Sequence, residues 1–296
     1  MGHRNLISLS LALLLVGCTA QEQTGSSASS IIGGLPGAQG DFPTTVAITN
    51  GGLCTGTLIA PDLVLTAAHC ILPQLVGAST QEEVTSQTQV VLDSENLYAA
   101  GGTRKQAAET IPHPDFSMNG LGDNDIALIR LQSPVTDRVP TPINRVKSDA
   151  KIGMSVTQVG YGVNQVGGQE AGRLFVLQDK KTTSCGTFGA SDTNLLCFSQ
   201  IDGSGKCQGD SGGPSYATIN GVERVVGVTS FGDRDCRQFG ADTRVDAELE
   251  FLYSVAPELQ CQLDGECNEA CGNDGLPSDS DCSLCEKDSE CEEEEI

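Results

Sequence analysis

Short apolar runs separated by Gly, Pro, Asn and Asp dominate the chain from Ile31 to about Val245. The segments TGTLIA (55–60), LVLTAA (63–68), TQVVL (88–92), DIALIRL (125–131), SVTQVGYG (155–162), LFVLQ (174–178) and RVVGVTSF (224–231) each read as a β-strand. They are short, rich in Val, Ile, Leu and Thr, and bounded by turn formers. Their close spacing predicts an all-β domain, either barrels or a sandwich. One segment departs from this pattern. VDAELEFLYSV (245–255) sets Val245, Leu249 and Leu252 at helical spacing, with Tyr253 and Val255 nearby, and predicts a closing helix.

Both ends break the pattern. Residues 1–17 join a short basic start, MGHRN, to the apolar run LISLSLALLLV, as in an export signal. The run is too short to span a bilayer as a stable helix. It ends in LVGC, which resembles a bacterial lipobox and makes Cys18 the expected lipidation site; an ordinary signal peptide cut near Ala20 is the alternative. A myristoylation signal is excluded, because the sixth residue is Leu. Residues 18–30, TAQEQTGSSASS after the cysteine, read as a flexible tether or propeptide. Beyond Ala256 the composition turns acidic and cysteine-rich: from Pro257 onward there are fourteen Asp and Glu against one Lys.

The formal net charge of -22 argues against nucleic acid as a partner and against direct attraction to an anionic membrane. A lipid at Cys18 is therefore the expected membrane attachment. Thirteen cysteines point to an oxidising compartment, and setting Cys18 aside leaves an even twelve. Six of these, Cys261, Cys267, Cys271, Cys282, Cys285 and Cys291, fall in the tail 257–296, where fifteen disulfide pairings are open. The tail is too short and polar to bury a core, so internal disulfides are its expected source of stability. The single CSLC motif there reads as disulfide rather than metal, and the carboxylates as a solvated appendage rather than a calcium site.

Three motifs carry candidate chemistry: LTAAHC with His69, DNDIALIRL with Asp125, and GKCQGDSGGP with Ser211. A serine nucleophile needs an imidazole to take its proton and a carboxylate to hold that imidazole in the right tautomer. Taken singly, His69 fits packing or metal binding and Asp125 a strand start. Taken together, they resemble the trypsin/chymotrypsin family of serine endopeptidases. IIGG resembles that family's mature N-terminus. CTGTLIAPDLVLTAAHC resembles its disulfide loop around the histidine, HPDF…NDIALIRL the approach to the acid, VGYG a core strand and VTSFG the substrate-pairing strand. The resemblance covers about 31–256 and implies two packed antiparallel β-barrels, a C-terminal helix, protein or peptide substrates and no cofactor.

The resemblance makes His69 the general base and Asp125 its orienting acid, in preference to Asp123, because the family's acid directly precedes the Ile-Ala-Leu strand. His113 matches a surface histidine of the family and is read as structural. Ser211 becomes the nucleophile, with the N–H groups of Gly209 and Ser211 as oxyanion hole. Ser230 is expected to bond the acid, and Ser230–Gly232 to pair with substrate backbone. The implied disulfides are Cys54–Cys70, Cys185–Cys197 and Cys207–Cys236. Activation in the family frees the amine corresponding to Ile31, which pairs with the residue corresponding to Asp210. Here Ser30 precedes Ile31 and no Lys or Arg lies between Cys18 and Ile31, so another protease is expected to cut there, releasing the domain from its anchor.

The specificity pocket departs from trypsins. Gly205 stands where they carry an Asp, Lys206 follows it, and Gly232 and Gly240 are expected to leave the walls open. Asp242 either neutralises Lys206, favouring a bulky apolar substrate residue, or supplies negative charge itself; a free Lys206 instead allows acidic residues. The loop from Cys236 to Gly240 is shorter than in trypsins. Location follows from the lipobox: an outer-membrane lipoprotein or periplasmic enzyme, with extracellular release after cleavage. An α/β-hydrolase esterase is excluded, because its triad runs Ser, acid, His along the chain. A catalytically silent homologue acting as a binding protein is the alternative.

Overall fold

The computed structural model describes residue 1 and residues 31–38, 40–117, 122–147, 149–163 and 171–262. The expected leader, Cys18, the tether and nearly all of the Cys-rich tail lie outside the described residues. Among the described residues thirteen strands are formed: β1 (Leu35–Pro36), β2 (Thr45–Thr49), β3 (Leu53–Ala60), β4 (Leu63–Thr66), β5 (Gln89–Leu92), β6 (Thr103–Pro112), β7 (Ala127–Leu131), β8 (Ser155–Gly160), β9 (Phe175–Thr183), β10 (Leu195–Ser199), β11 (Pro214–Ile219), β12 (Val222–Gly232) and β13 (Phe239–Arg244). They make two closed antiparallel barrels. The first runs β2-β3-β4-β7-β6-β5. The second runs β8-β9-β10-β13-β12-β11 and closes by the β8–β9 pairing, with β1 added on β9. Barrels, not a sandwich, are the outcome, and closure leaves neither sheet with a long free edge.

Register decides what the first barrel presents at its end. β4 and β7 run antiparallel, with Thr66 opposite Ala127 and Leu65 opposite Leu128. The chain leaving β4 and the chain entering β7 therefore meet at one end, which carries His69 and Asp125 there. The alternating apolar residues of β2–β5 and β7 fill the interior: Val46, Ile48, Leu58, Leu65, Val90 and Ile129 are fully buried. Gly56 is required by this packing, because a Cβ there would lie 2.8 Å from Val64 and 2.9 Å from Ile48.

Helix is scarce. The pattern at 245–255 becomes a 3-10 turn, Val245–Ala247, followed by helix α3 (Leu249–Val255), which buries Phe251 and Leu252. Two short helices that periodicity did not predict precede it, α1 (Pro73–Val76) and α2 (Gln81–Gln87). α2 owes its start to a reciprocal cap: Thr80 Oγ1 accepts from Glu83 N, and Glu83 Oε2 accepts from Ser79 N at 2.7 Å. The packed chain also runs past Ala256, where the domain was expected to end. Leu259 is fully buried, and Gln262 bonds Ile59 O on the first barrel and Ile143 N in the segment between β7 and β8.

Glu248, just ahead of α3, is 5 % exposed. Its Oε2 lies 3.5 Å from His113 Nε2, and the His113 ring rests 4.5 Å from Phe251. His113 is thus largely covered rather than on the surface, and Asp115 N donates to its Nδ1. Burial, with a smaller push from Asp123, raises the Glu248 carboxyl from its ordinary 4.5 to about 7. Between those values the folded chain holds more protons than the unfolded one, so stability falls as pH rises through that window. Glu248→Gln removes this penalty. Thermal denaturation at pH 4 should show little change, and at pH 8 a Tm higher by about 2–4 °C, equivalent to about 1 kcal/mol.

Candidate active site

His69 sits in a 3-10 turn, Ala68–Cys70, directly after β4, and the Cys54–Cys70 disulfide ties that turn back to β3. Its Nδ1 is 2.7 Å from Asp125 Oδ2, and its backbone N–H donates to Asp125 Oδ1 at 3.0 Å. One residue therefore meets both oxygens of one carboxylate, which fixes the plane of the ring. Nδ1 as donor to the carboxylate leaves Nε2 as the basic nitrogen. Asp125 is 2 % exposed. The turn before it needs Asn124 at φ 57, a left-handed geometry that Asn tolerates. Asp123, the rival acid, is exposed to solvent.

The second barrel completes the carboxylate's shell. Ser230 Oγ donates to Asp125 Oδ2 at 2.6 Å, and Thr243 Oγ1 donates to Asp125 O at 3.0 Å. Gly122 makes room for this, since a Cβ there would come within 2.7 Å of Ser230 Oγ.

Ser211 lies in the turn that leads into β11. Gly212 N donates to Thr229 O, Thr229 N to Gly213 O, and Thr55 N of the first barrel to Ser211 O, at 2.8, 2.9 and 2.8 Å. Thr55 Oγ1 donates to Gly209 O at 3.0 Å and accepts from Tyr161 N at 3.1 Å. Gly209 holds φ +94, and a Cβ on it would be 2.8 Å from Gly162 Cα. Only glycine suits that position. The N–H groups of Cys207, Asp210, Gly212 and Gly213 are all committed, whereas those of Gly209 and Ser211 have no partner among the described residues.

The supporting groups are deeply buried. Asp210 accepts from Gly162 N and Cys207 N, both at 2.8 Å, and burial pushes its carboxyl up to about 7. Ile31 is fully buried, and Gly205 N donates to Ile32 O at 2.9 Å, so the start of the domain is docked beside the 205–213 loop. The Cys207–Cys236 and Cys185–Cys197 bridges are formed as well. Donor atoms of Cys54, His69 and Cys70 lie within 4.8 Å of one another, but both sulfurs are spent in a disulfide and offer no thiolate to a metal.

Two cavities flank the site. One of about 600 Å³ lies against His69, bounded by Leu53, Leu75, Val76 and Phe116. The other, about 150 Å³, opens at Ser211. Ser230 and Phe231 line both. Strand β12 pairs with β11 only as far as Val228, but with β13 as far as Gly232. One side of Ser230–Gly232 is therefore left for an added strand.

The trypsin family model matches residues 31–251. The chain belongs to the trypsin family. It is similar to trypsin of Sus scrofa, 34% identical over 68% of this chain and 84% of the relative. Serine protease SP24D of Anopheles gambiae is 32% identical over 68% of this chain and 71% of the relative. Chymotrypsin-like elastase family member 1 of Canis lupus familiaris is 28% identical over 82% of this chain and 98% of the relative. The protein is accordingly a serine endopeptidase.

In the cavity beside Ser211, three residues had given no signal in the sequence. A Cβ on Gly205 would strike the Gln200 side chain at 2.4 Å, and one on Gly240 would lie 2.6 Å from Gln200 Oε1. Gln200 thus fills the space beside Gly205 and beside Gly240, one of the two glycines expected to leave the walls open. Asp233 shapes the short loop by accepting from the N–H groups of Arg237, Gln238 and Phe239. Gln158, from β8, reaches the cavity across the barrel. Lys206 is not free: its Nζ is 2.8 Å from Asp242 Oδ2.

Thr55 offers a direct test of the join between the barrels. Thr55→Val keeps the shape but strands Gly209 O and Tyr161 N, and should cost about 1–3 kcal/mol in denaturant unfolding. Thr55→Ser should recover most of that loss.

Proposed function

We propose that this endopeptidase cleaves peptide bonds through Ser211, His69 and Asp125 by way of an acyl-enzyme. The observation that carries the reading is the carboxylate of Asp125 gripping His69 at both Nδ1 and backbone N–H. Ser211 Oγ attacks the scissile carbonyl while His69 Nε2 takes its proton. The imidazolium so formed is stabilised by Asp125, and the developing oxyanion by the uncommitted N–H groups of Gly209 and Ser211. His69 returns the proton to the leaving amine. Water, deprotonated in turn by His69, then releases the acid product and restores Ser211. Substrate backbone lies along Ser230–Gly232. A fluorophosphonate probe should label wild type at Ser211, and His69→Ala should cut both labelling and peptidase turnover by at least about 10³-fold. Equal labelling of the two proteins contradicts the assignment.

The same reading includes export, lipidation at Cys18 and cleavage before Ile31. Asp210 is buried against neutral N–H groups, so its charge is costly until a cation arrives. An ammonium created at Ile31 supplies one and lowers the Asp210 pKa. Sequencing of the active form should begin at Ile31, and its activity should decline as pH rises above the α-amino range of about 8. An active form that starts upstream contradicts this step. The acidic tail is read as an appendage to the catalytic domain, and its partner is not assigned.

A further inference from the structure

The cavity that opens at Ser211 lies beside the carbonyl to be attacked, so its floor meets the side chain of that substrate residue. This step rests on the catalytic reading above. Lys206 Nζ has three protons and three acceptors: Asp242 Oδ2 at 2.8 Å, Ser215 Oγ at 3.1 Å and Gly213 O at 3.4 Å. Ser215 Oγ passes its own proton to Asp242 Oδ2 at 2.6 Å. Lys206 therefore has no donor left for a substrate, and its charge is cancelled within the floor.

The acceptor side is not so balanced. Asp242 Oδ1 and Gln158 Oε1 are both buried without a hydrogen-bond partner, and each residue is 1 % exposed. Both residues line this one cavity. An unpaired buried acceptor is unfavourable, and two of them at one floor call for a donor brought from outside. A cation suits the floor badly, since it has to share a single carboxylate with Lys206. A carboxylate suits it badly too, because the unpaired Asp242 oxygen repels it, although the Gln158 amide also carries a donor in its Nε2. The walls favour a flat group: Ala241 and the Cys207–Cys236 bridge are apolar, and Gly232 presents bare backbone that pairs with Gly240.

We propose that the pocket selects an uncharged side chain with a hydrogen-bond donor at its tip, tyrosine ahead of phenylalanine, and that Asp242 and Gln158 are the residues that read it. The apolar preference expected once Lys206 is neutralised is thereby sharpened, not discarded: the body of the side chain is apolar and its tip is a donor.

The test uses the processed, active full chain and peptide anilides that share every residue except the last, which is Tyr, Phe, Arg, Lys or Glu. Active enzyme is counted by fluorophosphonate titration. The expected kcat/KM for Tyr exceeds that for Phe by about 10-fold, the worth of one hydrogen bond to a buried acceptor. Arg, Lys and Glu should all fall below Tyr. Gln158→Met removes one acceptor and should shrink the Tyr/Phe ratio severalfold, and titration of that variant reveals any loss of folded enzyme. A labelled wild-type enzyme that cleaves Phe as well as Tyr, or that prefers Arg, Lys or Glu, overturns this inference alone. An unlabelled wild-type enzyme that cleaves none of the substrates overturns the catalytic reading, and the inference with it.

Discussion

The site depends on a seam between two closed barrels. Closure satisfies most of the backbone of each barrel internally, so the two meet chiefly through side chains, turns and a few spare strand groups. Thr55 makes one of these joins. Its N–H and hydroxyl engage Ser211 O, Gly209 O and Tyr161 N on the second-barrel side. Gly212 is what allows the approach, because a Cβ there would stand 2.1 Å from Thr66 Oγ1. Asp125 crosses the seam in the opposite sense, from the first barrel to Ser230 and Thr243 of the second. Tyr216 adds a third crossing, with its hydroxyl on Thr45 at 2.8 Å and its ring stacked on Phe42 at 5.7 Å. Hydrogen bonds shielded in this way are individually modest when made and costly when one partner is removed, so the seam holds the acid and the serine loop to one geometry.

Buried charge is handled differently on the two sides of that seam. Asp125 is met by donors from His69 and Ser230 and needs no cation. On the second-barrel side, charges are paired: Lys206 with Asp242, and Arg244 with Asp246 at 2.7 Å. Asp210, by contrast, is held by two N–H groups. A buried carboxyl raised to about 7 is poised to respond when a positive charge is placed beside it.

The candidate site was legible in the sequence because each part of it is compressed into a few residues. LTAAHC, DNDIAL and GDSGGP each hold a reactive group together with the turn that aims it, and β4–β7 register then brings two of the three together. The strands were legible from their composition, although not which strand pairs with which. What escaped notice depends on contacts made only after folding. Gln200 and Gln158 stand in ordinary strand sequence and become part of a cavity only through barrel closure. Leu259 joins the core beyond an apparent change of composition, because one apolar residue in an acidic stretch carries no periodic signal. α2 did leave a trace, the Thr80…Glu83 capping pair, but it buries a single residue, Val84, and so shows no apolar stripe.

Pocket chemistry and catalytic geometry share one continuous segment here, Gly205 to Gly213, yet they are fixed by separate contacts. The catalytic half is pinned by Thr55, by the Asp210 carboxylate and by the pairing of Gly212 and Gly213 with Thr229. The pocket half is pinned by the Ile32–Gly205 bridge, by Gln200 bonding Lys206 O and Cys236 O, and by the Lys206–Asp242 pair. The Cys207–Cys236 disulfide marks the boundary between them. Apart from the 3.4 Å contact of Lys206 Nζ with Gly213 O, the contacts named for the two halves are separate, so the floor can be neutral and acceptor-rich without moving Gly209 or Ser211. That separation lets a trypsin-family frame keep its hydrolytic geometry while the side chain it selects changes.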